Sequence, residues 1–297
     1  MNLLSKLPTP GALKHAFKKH FFPDSWFVRS EYKRIFGKKL NLRNPKGFNE
    51  KINWLKLYWR KPFIHGLVDK YAVKRYVAEK IGDQYVIPIL GVWKNFDEIN
   101  FAELPDKFVL KTTHGGGFNG VVICHDKNNF NFDEARTRLN AAMKWDLYKE
   151  NREWVYKDIP RRIIAEKYIT NGNHDLKDYK FFCFNGVPKF VCVHFDRQTN
   201  HKAVYMDLNW ERLPFVDNYP CPPKHIEPKP ENLDAMIGIA RKLSEGMPFV
   251  RVDLYNIDGN IYFGELTFIP MNGMTVFDPP SADLDLGSYL QLPKKGV

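Results

Sequence analysis

The chain has 297 residues, 44% apolar and 15% aromatic, which is enough to bury a sizeable core and excludes a disordered chain. No apolar run approaches the ~20 residues that span a bilayer and no leader pattern opens the sequence, so the cytoplasm is the expected compartment. The net charge of +11 is concentrated. Residues 1–61 hold fifteen Lys/Arg against three Asp/Glu, whereas residues 62–297 hold thirty against thirty-one. That balance, with no aromatic–basic motif, argues against nucleic acid as a partner.

The first third reads as helical. Leu13, Ala16, Phe17, His20 and Phe21 recur at helical spacing between Lys14, Lys18 and Lys19, and Tyr32, Ile35, Phe36 and Leu40 repeat the pattern. Residues 1–45 therefore present solvated basic faces or, with Phe17, Phe21 and Phe22 at the interface, attach to an anionic membrane surface or acidic polymer. A third helix is expected over Glu50–Tyr58. A fourth starts at the N-cap Asp69 and carries Val73, Tyr76, Val77 and Ile81 on one face.

From Phe108 the period shortens. Phe108–Lys111 and Gly120–Cys124 read as strands joined across His114–Asn119, followed by a helix near Asp133–Trp145 and a strand over Arg162–Ile169. Asn185-Gly186 joins Tyr179–Phe184 to Val187–Phe195 as a hairpin, and Asp258-Gly259 joins Phe249–Tyr255 to Ile261–Phe268. A helix over Leu233–Leu243 lies between them. Successive hairpins with interspersed helices predict an α+β fold, not a doubly wound parallel sheet. Cys124, Cys183, Cys192 and Cys221 show no CxxC spacing, so reduced thiols are expected and a zinc site is not.

The C-terminal hairpin is the most informative segment. A two-residue turn at Asp258-Gly259 would pair Asp253 with Gly264, whereas a three-residue turn including Asn260 would pair Asp253 with Glu265. In the second register Arg251, Asp253, Glu265 and Thr267 share one face. Two opposed carboxylates repel unless a cation lies between them, and magnesium accepts one or two carboxylates plus phosphates. A solvent-facing hairpin with scattered charge is the bland reading. Lys111 and the glycines Gly115, Gly116 and Gly117 after His114 suit phosphate, although such a loop is also an ordinary hairpin turn. Asp178 and Lys180 stand on one face of a strand, which a surface ion pair would equally explain.

Taken in order, these segments resemble the ATP-grasp superfamily and, more narrowly, its TupA-like family of bacterial polysaccharide gene clusters. The resemblance rests on Phe48–Lys56, Asp69–Val77, Phe108–Gly117, Asp178–Gly186 and Arg251–Gly273, and extends over about residues 45 to 290. It implies an ATP-grasp fold of two α+β subdomains: a basic helical segment over 1–62, an N-terminal subdomain over 63–165 and a C-terminal subdomain over 166–297. It implies ATP and Mg2+. Lys111, Lys70 and Lys180 would touch phosphate, and His114 and the glycines at 115–117 would close over it. Glu166 and the backbone of Lys167, Tyr168 and Ile169 would hold adenine, and Asp178 the ribose. Asp253 and Glu265 would bind the metal, with Arg251 at the reacting carbonyl. The Asn usually found two residues after the Glu is Thr267 here, so Asn272 or water would complete the shell.

The expected activity is amide ligation through an acyl phosphate, coupling an amine or amino acid to a sugar acid or polysaccharide. A sugar kinase on the same fold is the alternative. Glycosyl transfer is a further one, since Asp283-Leu284-Asp285 offers an Asp-x-Asp motif, though without flanking strands.

Overall fold

A computed structural model describes residues 22–116, 120–170, 172, 176–197, 199–219 and 221–295. The helix expected over Leu13–Phe21, and Gly117, lie outside the described residues. The helices are α1 (Asp24–Phe36), α2 (Phe48–Tyr58), α3 (Ile64–Val68), α4 (Ala72–Ile81), α5 (Phe132–Lys144), α6 (Leu147–Asn151), α7 (Leu233–Ser244) and α8 (Ala282–Tyr289). The strands are β1 (Ile89–Trp93), β2 (Phe108–Thr112), β3 (Val121–Cys124), β4 (Ile163–Lys167), β5 (Asp178–Phe184), β6 (Val187–Phe195), β7 (Lys202–Asp207), β8 (Phe249–Ile257) and β9 (Asn260–Thr267).

Local chemistry explains the helix ends. α1 stops at Gly37, which takes a left-handed φ of 69° and donates its N–H to the Lys33 carbonyl at 3.0 Å. Leu40, expected to continue that helix, is instead buried beyond the stop. The Asp69 carboxylate accepts the N–H groups of Tyr71 at 2.9 Å and Ala72 at 3.3 Å, so it caps α4 as its residue type suggested.

Two antiparallel sheets carry the architecture. The first has the order β1-β4-β2-β3, and α5 packs Ala135 and Leu139 against its core of Phe108, Leu110, Ile163 and Ala165. The second has the order β7-β6-β5-β8-β9. β1 and β7, which the sequence reading did not anticipate, form edges of the two sheets. α7 covers one face of the second sheet with Met236, Ala240 and Leu243.

The opposite face of the second sheet divides in two. At one end the Phe48 ring of α2 meets Phe184 at 5.9 Å and Phe249 at 5.2 Å, making an aromatic core. At the other end the same strands present Asp178, Lys180, Arg251 and Asp253. Because side chains alternate along a strand, these polar residues lie on the same face as the aromatic anchors. The four cysteines are reduced and buried. Among the described residues no helix is long and apolar enough to cross a membrane.

Candidate active site

The β8–β9 hairpin closes through a two-residue turn. Asp258 and Gly259 have φ of 49° and 80°, both left-handed, and Ile257 pairs with Asn260. That register alone would place Asp253 opposite Gly264. Between Leu254, which pairs with Phe263, and Asp253, which pairs with Glu265, the ladder slips by one residue. Gly264 is the extra residue of this β-bulge. The expectation that only a three-residue turn could join Asp253 to Glu265 is thus corrected: a tight turn and a bulge give the same pairing.

The face that results is a chain of alternating charges. Arg251 donates from Nε to Asp253 Oδ1 and from Nη2 to Oδ2, both at 2.7 Å, and reaches Glu265 Oε1 at 3.3 Å and Thr267 Oγ1 at 3.0 Å. Thr267 Oγ1 donates in turn to Glu265 Oε1 at 3.2 Å. Lys180 Nζ donates to Asp253 Oδ2 and to Asp178 Oδ2, each at 2.5 Å, and Arg197 Nη1 reaches Asp178 Oδ2 at 2.8 Å. Burial opposes the charges on Lys180 and Arg251, but their carboxylate partners more than offset it and hold both above their ordinary ranges. Glu265 also meets a burial penalty, yet Lys70, Lys180 and Arg251 outweigh it and draw its carboxyl down to about 2.

The first sheet contributes a second cluster. Glu166 of β4, only 4% exposed, accepts Lys111 Nζ of β2 at 2.5 Å and Lys74 Nζ of α4 at 2.7 Å. Lys70 braces the glycine loop: its N–H donates to the Thr113 carbonyl at 3.0 Å and its Nζ to the Gly115 carbonyl at 2.5 Å. Burial lowers the Lys70 ammonium, whereas Lys111 is held up by Glu166 against its own burial. Both lysines also feel the charge of Glu265 on the second sheet.

The remaining expected residues are placed unevenly. Gly115 has the left-handed φ of 86° that a glycine loop supplies without strain. His114 is buried beside the Ala142 and Trp145 backbone at the end of α5, and burial keeps its imidazole neutral. The Lys167 N–H donates to the Pro88 carbonyl at 3.0 Å. The Asn272 side-chain and backbone oxygens both accept Lys56 Nζ, so its amide oxygen is already engaged. Asp283 of the Asp-x-Asp motif accepts the Asn49 N–H at 2.9 Å and its Nδ2 at 2.8 Å, a structural tie between α8 and α2.

The sequence pattern of the family described as TupA-like ATPgrasp matches residues 50–291. The chain belongs to that family. No curated protein matches it. Among solved structures, the TupA-like chain is similar to the D-alanine–D-alanine ligase of Helicobacter pylori, at 18% identity over 76% of this chain and 61% of that one, with a TM-score of 0.41. It is similar to the D-alanine–D-alanine ligase of Bacillus anthracis at 19% identity, covering 82% and 65%, with a TM-score of 0.40. A RimK-domain ATP-grasp protein of Sphaerobacter thermophilus shares 11% identity over 76% and 67%, with a TM-score of 0.42. The TupA-like chain spans about three fifths of the length of the Helicobacter ligase.

The donor set of the TupA-like chain fits a magnesium ion. Its oxygens are hard, Glu265 remains 36% exposed, and the ion would exchange for an ammonium or guanidinium now neutralising Asp253. Asp253 and Glu265 are the residues that would hold it. Lys74 and Arg197 were not singled out in the sequence reading. Lys74 lies four residues after Lys70, a helical spacing that could have flagged it. Arg197 follows the end of β6 and gave no pattern to find.

Proposed function

We propose that the chain is an ATP- and magnesium-dependent carboxylate–amine ligase that forms an amide through an acyl phosphate. The observation that carries this reading is that Glu265, beside Arg251 on the second sheet, lies near enough to Lys111 of the first sheet and to Lys70 in the turn before α4 for its charge to act on both. Lys111 and Lys180 would bind phosphate oxygens, Lys70 would keep the glycine loop closed over them, and Arg251 would stabilise charge developing on the acyl oxygen. Glu166, with Lys167, Tyr168 and Ile169, would border the adenine site, and Asp178 would meet the ribose. A bound magnesium ion would neutralise the phosphates.

In the reaction a carboxylate oxygen attacks the γ-phosphorus and ADP leaves. An amine nitrogen then attacks the acyl carbon, loses a proton, and phosphate leaves. A sugar acid as the acyl donor rests on the family resemblance alone. ADP release that needs both an acid and an amine tests the activity, screened over sugar acids and amino acids by mass spectrometry. A product lighter by one water than its two substrates supports ligation, whereas phosphate added to a single substrate means a kinase instead. Full activity in Asp253→Asn and Glu265→Gln would refute the metal assignment.

Membrane attachment of the basic segment is a separate proposal resting on its charge. Because Phe27, Val28 and Tyr32 of α1 are buried in the body of the protein, liposome flotation should compare the full chain with one lacking residues 1–21. Equal binding by both would remove the idea.

A further inference from the structure

The chain leaves β9 at Thr267 and turns at once through Pro270–Gly273. Met271 and Asn272 there have φ of 46° and 59°, and Gly273 follows with 70°, so three successive residues are left-handed. Glycine and asparagine enter that region readily and methionine rarely, and such a turn persists only where its surroundings fix it. Met271 and Asn272 line a cleft of about 560 Å3 that Arg251, Glu265 and Thr267 also line. The placement of this turn therefore shapes the space beside the reacting groups.

One face of α2 fixes it. Asn49, Asn53 and Lys56 follow one another at helical spacing, and each reaches the segment after β9. The Asn49 side chain exchanges two hydrogen bonds with the Thr275 backbone, both at 2.8 Å. Asn53 Nδ2 donates to the Gly273 carbonyl at 2.7 Å, and Lys56 Nζ donates to both oxygens of Asn272. Lys56 is the unusual member, because it is only 3% exposed and gives these hydrogen bonds to neutral oxygens. Burial draws its ammonium below the ordinary range, by more than the charges of Glu153 and Asp24 restore. A buried charge is often replaced by an apolar side chain with no loss of stability, so packing alone does not account for a lysine here.

We infer that Lys56 is a positioning residue for the reaction: by holding both oxygens of Asn272 it fixes the left-handed turn beside Arg251 and Glu265. The inference rests on the ligase reading for the identity of those reacting groups. It adds a residue from a helix outside both sheets, and it makes Asn272 a latch for the turn in place of a metal ligand.

Two measurements on the full chain test it, one of them without turnover. Amide hydrogen exchange over residues 270–277 reads the turn, and kcat for ADP release, with the substrates that the screen yields, reads its effect on the site. Lys56→Met keeps the length of the side chain and removes the donor. It should speed exchange in that segment at least about tenfold, lower kcat about thirtyfold, and leave β5 and β8 protected. Calorimetric affinity for the magnesium complex of a non-hydrolysable ATP analogue should stay within about twofold, since Lys111, Glu166, Asp178 and Lys180 do not line the cleft. Asn272→Gly keeps the left-handed backbone without the side-chain oxygen, and should speed exchange and lower kcat about fivefold. Asn272→Asp keeps the acceptor and should retain kcat within about threefold. The double variant of Lys56→Met and Asn272→Gly should be no slower than Lys56→Met alone. In whichever single variant folds, unchanged exchange, unchanged kcat, or nucleotide affinity falling in step with kcat overturns the inference. ADP release from a single substrate would overturn the ligase reading, and the same kcat comparison would still decide the role of Lys56.

Discussion

Gly264 and Asp253 approach across the β8–β9 ladder so closely that a Cβ on the glycine would lie 3.0 Å from the Asp253 carbonyl oxygen. The glycine is the bulged residue that brings Glu265 opposite Asp253. Gly264→Ala must therefore shift backbone against backbone, at a cost of about 1–3 kcal/mol. ADP release should fall on the order of a hundredfold, because Glu265 is displaced relative to Arg251. Chemical denaturation and steady-state kinetics on the same variant check both effects. Wild-type kinetics would show that the bulge does not position the site.

Glu166 neutralises two ammonium groups at once, Lys74 and Lys111. Glu166→Gln leaves both without their carboxylate in a buried setting, and should cost about 3–5 kcal/mol. Urea titration measures it. A loss below about 1 kcal/mol would mean that water reaches the lysines and replaces the carboxylate.

Glu265 supplies a pH signature. Its folded-state carboxyl is depressed from 4.5 to about 2, so its contribution to stability is present above 4.5 and is lost as pH falls toward 2. Thermal unfolding of the native chain and Glu265→Gln, compared between pH 7 and pH 2, should show a Tm difference at neutral pH that closes on acidification. A difference that widened in acid would give the shift the opposite sign.

Phe48 anchors α2 on the aromatic half of that face of the second sheet, with Phe182, Phe184, Phe249 and Phe277 around it. Phe48→Ala should cost about 3–5 kcal/mol through lost burial and a residual cavity. Denaturant unfolding reads the loss, and Phe48→Leu should recover part of it.

Sequence alone determined what is local in this protein. Asn185-Gly186 and Asp258-Gly259 were legible as hairpin turns because few other residue pairs adopt two successive left-handed conformations, and both do so here. The strands flanking them followed from alternation, and Asp69 declared itself a cap by its residue type. The shared face of Arg251, Asp253, Glu265 and Thr267 was also legible, but the route to it was not. A bulge depends on how two backbones approach, which no turn dipeptide encodes. Long-range pairing likewise decided that Glu166 is held by Lys74 and Lys111, and that Lys56 engages Asn272. Only the tertiary structure brought Phe27 and Ile35 of α1 to the cleft that Arg251 and Glu265 of the β8–β9 hairpin also line. Those contacts join residues far apart in the chain, and their energies exist only once the chain has folded.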